Sequence, residues 1–147
     1  MFSWTPASGQ AGTYPGIYFE VSDGELADSE EIIITVTNLP DLTGEWSVPL
    51  SYKKGTTKGT LLVRNIGTLK AGKFNITFYL SDDIRVDNGD TKISTKKINS
   101  LAPGASISLG FSYSGSTGGR FVLAVVDSDN QIVESNEGNN VIPGQIQ

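Results

Sequence analysis

The chain contains no cysteine and no histidine. Without them there are no disulfides, no thiol nucleophiles, no zinc sites built on thiolate or imidazole, and no Ser-His or Cys-His catalytic pair. The missing cysteines do not decide the compartment, because a chain of this size can hold its core without cross-links. Long apolar runs are also missing. None approaches the ~20 residues that cross a bilayer, so no membrane insertion is expected. The opening "MFSWTPASGQ" lacks the basic head and apolar centre of a signal peptide, so export would require a longer precursor. No segment carries helical periodicity over three turns. Basic residues are absent from positions 1–37, which hold Glu20, Asp23, Glu25, Asp28, Glu30 and Glu31. From Asn38 onward eleven bases face ten acids, so the net charge of −5 belongs to the N-terminal quarter. An acidic chain with no basic patch is a poor ligand for nucleic acid.

The residues that are present describe strands. Phe74, Ile76, Phe78 and Leu80 alternate with Asn75, Thr77 and Tyr79, the period-two pattern of a strand buried on one face. Ile107, Leu109, Phe111 and Tyr113 alternate in the same way with serines and a glycine. Phe121 to Val126 is apolar at every position, which suits a central strand, with Phe121, Leu123 and Val125 expected in the core. "TLLVRN" and "TKISTKKI" are shorter candidates, and "GEWSVPLSY" is a first strand interrupted by Pro49, which belongs at an edge or a bulge. Turn chemistry separates them: "KKGTTKG", "IGTLKAG", "DNGD", "LAPGA", "SGSTGG" and "DSDN". Seven short strands over residues 42–142 predict an all-β, immunoglobulin-like antiparallel sandwich, with a barrel as the rival. Residues 1–37 hold three further candidates, in "FSWTP", "AGTYPGIYFEVSDG" and "SEEIIITVT". Three strands do not close a sandwich, so this part is expected to be the end of an incomplete module, joined at "TNLPD" to a domain over 38–147.

Several blocks carry a family likeness: "PDL", "NIGTLKAGKFNITFYLSDD", "LAPGAS" and the closing "AVVDSDNQIVESNEGNN". With them residues 40–142 resemble the bacterial cell-adhesion-related domain, CARDB. The closing block is the most specific, its E-x-N-E-x-N-N run falling on Glu134, Asn136, Glu137, Asn139 and Asn140. Residues 1–37 are similar, over a shorter stretch, to the end of a cadherin-like or Ig-like repeat. Both resemblances imply tandem extracellular modules of large surface or secreted proteins, with a sandwich fold and no catalysis. The partners implied are neighbouring domains of the same polypeptide, surface proteins or glycans. A monomer is expected, with pairing through the bare edges of the N-terminal strands as the alternative.

Two acidic clusters are the candidate sites. In "SDDIRVDNGD", Asp82, Asp83, Asp87 and Asp90 could offer hard oxygens to calcium, but their spacing is not that of a D-x-[DN]-x-[DN]-G loop, and Asn-Gly is itself a strong tight-turn signal. In "VVDSDNQIVESNEGNN", Asp127, Asp129, Glu134 and Glu137 are the calcium candidates. Asx-turns closed by Asp127 and Asn130, with Asn136, Asn139 and Asn140 satisfying backbone groups, explain the same residues without an ion. The turn reading is adopted for both clusters, so no metal or other cofactor is expected. Trp4, Tyr14, Tyr18, Trp46, Tyr52, Tyr79 and Tyr113 could build a sugar-stacking platform, Tyr79 being the one expected to be exposed, but they are equally ordinary sheet residues. Glycoside hydrolysis asks for two acids held ~5 to 9.5 Å apart in a cleft, and no long loops suggest one. "NIT" at Asn75 fits a glycosylation acceptor but sits in mid-strand.

Overall fold

In a computed structural model, which describes residues 2–7 and 9–146, the chain forms two compact units, Met1–Asn38 and Leu39–Gln147. Met1, Ser8 and Gln147 lie outside the described residues.

The first unit is a two-stranded antiparallel hairpin, β1 (Gly12–Ser22) and β2 (Ala27–Val36). Its turn is closed by Asp23, whose Oδ1 accepts from the amides of Leu26 (2.8 Å) and Glu25 (2.9 Å). Those amides, Leu26 first, hold the Asp23 carboxyl below the usual range. Two strands form where three were expected, because "FSWTP" is not a strand. Phe2 and Trp4 instead set their rings edge-on against Phe19 and Tyr14, at 5.9 and 5.0 Å. Ile17, Ile32, Ile34 and Val36 are half-buried, while Phe19 and Val21 are exposed.

The second unit is a sandwich of seven strands: β3 (Leu42–Lys53), β4 (Thr56–Asn65), β5 (Phe74–Ser81), β6 (Thr91–Ile98), β7 (Ser106–Ser114), β8 (Phe121–Val126) and β9 (Val141–Gly144). One sheet runs β3-β4-β7 and the other β6-β5-β8-β9, every pairing antiparallel. Pro49 lies on the edge strand β3, where the register with β4 shifts between Val48 and Ser51, so its missing amide breaks no regular ladder.

The core is built by period-two faces that meet between the sheets. β5 contributes Phe74, Ile76, Phe78 and Leu80, β4 contributes Leu61 and Val63, and β7 lays Phe111 over them. At its centre the rings of Phe78 and Phe111 lie 5.0 Å apart, and Trp46 packs against Phe111 at 5.6 Å. Gly144 is required beside that indole, since a Cβ there would come within 2.5 Å of Trp46 Nε1.

On β8 the inward residues are Val122, Ala124 and Val126, opposite in parity to the expectation. An unbroken apolar run has no alternation from which to read a face. The register with β5 sets it, pairing Ala124 with Phe78 and Val126 with Ile76. Leu123 is fully buried on the other face, opposite Tyr79, while Phe121 and Val125 are half-buried there. Tyr79 is therefore half-buried rather than exposed, covered in part by its apolar neighbours on the strand beside it.

These faces predict unequal costs of truncation. Phe78→Ala opens a cavity at the centre and should lose about 3–5 kcal/mol of unfolding free energy. Phe121→Ala, on the outer face, should lose markedly less. Urea unfolding of the two variants checks the assignment of faces.

Candidate functional site

The loop after β5 holds the first acidic cluster, and its carboxylates serve their own backbone. Asp83 Oδ1 accepts from the Arg85 amide at 2.7 Å, Asp87 Oδ1 from Gly89 at 2.7 Å, and Asp90 Oδ2 from Asp87 at 3.0 Å. The first two are Asx-turn contacts, and the third reaches back three residues to close the same loop. Asp82 is exposed, with Arg120 Nε 3.9 Å from its carboxylate, and an exposed pair at that distance contributes little. The cluster lines a shallow open depression with Ser81 and Arg120.

The second cluster is organised differently. β8 and β9 are joined by a long loop that folds back over the start of β3, where a tight "DSDN" turn between the last two strands was expected. Asp127 and Asn130 both take positive φ, +47° and +50°, and the Asn130 amide bonds the Asp127 carbonyl at 2.8 Å. Asp127 is only 4% exposed, and its Oδ2 accepts from the Ile132 amide at 2.7 Å. Asp129 points outward, where it accepts from the Asn75 side-chain amide, which occupies the nitrogen of the "NIT" acceptor pattern.

Beyond this turn the loop attaches to the chain entering β3. The buried Glu134 accepts from the Leu42 amide through Oε2 and from Asn140 Nδ2 through Oε1, the latter at 2.9 Å. Glu137 Oε1 accepts from the Glu134 amide at 2.9 Å. Asp41 receives Ser135 Oγ at 3.0 Å and Asn139 Nδ2 at 2.8 Å, and Ser135 donates its amide to the Pro40 carbonyl. Asn136 caps the short 3-10 helix Glu137–Asn139 by accepting from the Gly138 amide. Burial pushes the Glu134 carboxyl up, against the lowering effect of Leu42 and Asn140, with the negative charges of Glu137 and Asp127 adding to the rise.

Among the described residues no three carboxylates converge to hold a metal ion. The eight calcium candidates thus fall into one open loop, Asp82, Asp83, Asp87 and Asp90, and one partly buried loop, Asp127, Asp129, Glu134 and Glu137, and neither loop is an all-carboxylate cage. The aromatics are divided between the two units. Trp46 and Tyr113 pack on the core, Trp4 and Tyr14 pair within the first unit, and the most exposed tyrosines, Tyr18 and Tyr52, lie in different units.

One organising residue gave no sequence signal beyond its place at the end of a strand. Asn65 is fully buried and uses its whole amide: Oδ1 accepts from Asp41 (3.2 Å) and Gly67 (3.1 Å), and Nδ2 donates to the carbonyls of Leu69 (2.8 Å) and Leu101 (3.0 Å). It ties three loops at the end of the sandwich that Glu134 also closes. Gly67 sits so close to residues 39–41 that a Cβ would meet the Asp41 nitrogen at 2.4 Å.

The sandwich of the second unit, closed at one end by an Asp-Glu-Asn loop, is that of an immunoglobulin-like β module. The CARDB family profile matches residues 39–143, and the chain belongs to that family. The CARDB domain of a Pyrococcus furiosus protein, solved as a crystal structure in complex with di-metal ions, is 28% identical, with a TM-score of 0.60 over 77% of this chain and 96% of its own. A solution structure of that domain gives 26% identity and a TM-score of 0.57, over 76% of this chain and 96% of its own. A domain of a Methanosarcina acetivorans protein, named for the cell surface, shares the fold at 21% identity and a TM-score of 0.53, covering 74% and 90% of the two chains. No curated protein matches the chain.

The raised Glu134 carboxyl has a pH consequence whose sign follows from linkage. A carboxyl that binds its proton more tightly in the folded than in the unfolded state contributes stability that is present below its unfolded pKa. That contribution is lost as pH rises through the folded value. Between pH 7 and pH 4.5, the ordinary glutamate value, the wild type should therefore gain stability relative to Glu134→Gln as pH falls. Paired thermal melts at both pH values test this, and a carbon-detected titration of the Glu134 carboxyl should show a midpoint above that of an ordinary glutamate.

Proposed function

We propose that this chain is a non-catalytic structural and adhesive module of a larger exported protein. In this reading it spaces neighbouring domains and contributes a surface to protein or cell-surface contacts. The observation that carries the reading is what the acids do: Asp83, Asp87, Asp90, Asp127, Glu134 and Glu137 all accept backbone amides of their own chain. Carboxylates engaged in holding loops are not a pair poised across a cleft for hydrolysis. Residues 1–37 fit this role as the C-terminal part of a cadherin-like or Ig-like repeat, placed before the sandwich on the same polypeptide. The hairpin leaves the outer edges of β1 and β2 unpaired among the described residues, and such edges recruit further strands, from the same polypeptide or from a second copy. The location proposed is outside the cell or on its surface.

A calcium-dependent or carbohydrate-binding accessory module of a secreted enzyme is the second reading. The complex of the Pyrococcus furiosus domain with di-metal ions supports its metal half. The scattered aromatics give its carbohydrate half no comparable support.

Antibodies raised against residues 39–147 should label intact, unpermeabilised cells of the source organism, and brief protease treatment of those cells should remove the signal. Labelling that required permeabilisation would contradict the surface assignment.

A further inference from the structure

Four polar side-chain atoms of the described residues are buried without a hydrogen-bond partner, and three of them are oxygens of the closing loop: Asp127 Oδ1, Asn139 Oδ1 and Asn140 Oδ1. A buried acceptor left without a donor is costly, and three close together in the fold call for a common explanation. Their proximity follows from the ladder. Val125 pairs with Val141 and the Val126 amide bonds the Asn140 carbonyl, so Asp127, just past the end of β8, lies at the same end of the β8–β9 pair as Asn139 and Asn140, which lead into β9. Asn140 Nδ2 donates to Glu134 Oε1, which holds the Asn140 amide against the Glu134 carboxylate. That amide cannot be turned over to satisfy its own oxygen, because the oxygen would then face Glu134 Oε1.

Charge points the same way. The closing loop and the chain entering β3, residues 121–147 and 39–52, contain no Lys or Arg, while Asp41, Asp127, Glu134 and Glu137 bring four acids to them. Neither ion pair found among the described residues involves any of them. Buried carboxylates without a base, beside amide oxygens without a donor, form a set of hard oxygen ligands. An irregular set of that kind suits calcium, which accepts ~6 to 8 oxygens in flexible geometry and takes amide carbonyls and waters alongside carboxylates.

We propose that Asp127, Glu134, Asn139 and Asn140 bind one calcium ion, with water completing its shell, and that the ion fastens the closing loop to the entrance of β3. The inference rests on the metal-binding reading above for the class of ligand alone. Its location comes from the unpartnered oxygens of this chain.

The test is an amide NMR titration of the full labelled chain with calcium chloride to millimolar concentration, on wild type, Asp127→Asn and Asp82→Asn. Expected is a saturable response centred on residues 126–141, weakened at least about tenfold in Asp127→Asn and unchanged in Asp82→Asn. In calcium-free buffer Asp127→Asn should match or exceed the wild type in thermal midpoint, because its amide can donate to an oxygen that otherwise has no partner. A response centred on 82–90 and lost in Asp82→Asn would overturn the location while sparing the metal-binding reading. The absence of any saturable response would overturn both. Should Asp127→Asn fail to fold, substoichiometric manganese on the wild type decides instead. Broadening centred on Asp127 and Asn139–Val141 supports the site, and broadening centred elsewhere overturns it.

Discussion

The sandwich is closed at one end by a single carboxylate. Glu134 sits in the loop between the last two strands and accepts the amide of Leu42, which opens the first strand of the unit. Without that acceptor the Leu42 amide would be buried unpaired, a state that costs about 1–3 kcal/mol. The other contacts of this corner follow from the same placement: Asn140 reaches Glu134 from the start of β9, and Asp41 collects Ser135 and Asn139 from the loop. Asn65 and Gly67 secure the opposite side of the 39–41 segment. Burying a charge to do this raises the carboxyl's own affinity for a proton, so the latch is a strained one unless something positive stands near it.

That strain separates the two acidic loops, which look alike as composition. The loop over 82–90 meets its needs locally, each carboxylate serving an amide two or three residues away. The loop over 127–140 meets its needs across the fold, with partners 92 to 98 residues away, and ends with oxygens to spare. Short-range bonds to the backbone account for Asp83, Asp87 and Asp90 of the first loop. In the second, the Asp127–Asn130 turn, the Asn136 cap and the bonds from Ile132 to Asp127 and from Glu134 to Glu137 are local, while Glu134 and Asp41 hold partners far away in sequence.

The strand faces of β5 and β7 were legible because polar and apolar residues alternate in both. The face of β8 was not, because a run from Phe121 to Val126 with no polar residue has no parity until a neighbouring strand imposes its register. "FSWTP" was misread as a strand because aromatic content suits a sheet and equally suits a segment laid across one. At the candidate site the acids and asparagines were visible as a cluster, and the closing E-x-N-E-x-N-N run pointed to the family. Which acid would be buried was not visible. Glu134 and Glu137 are three residues apart with the same chemistry, and the Leu42 amide, far away in sequence, selects one of them. Asn65 was overlooked for the same reason, since its partners lie in three separate loops.

Hydrogen exchange at the Leu42 amide tests the latch most directly. Measured in low denaturant under native conditions, its opening free energy should merge with that of the Phe78 amide at the centre of the core, because releasing Glu134 would require unfolding the sandwich. Exchange of Leu42 by a local opening, well below the energy of the core amides, would contradict the account, since the loop could then leave β3 while the fold stayed intact.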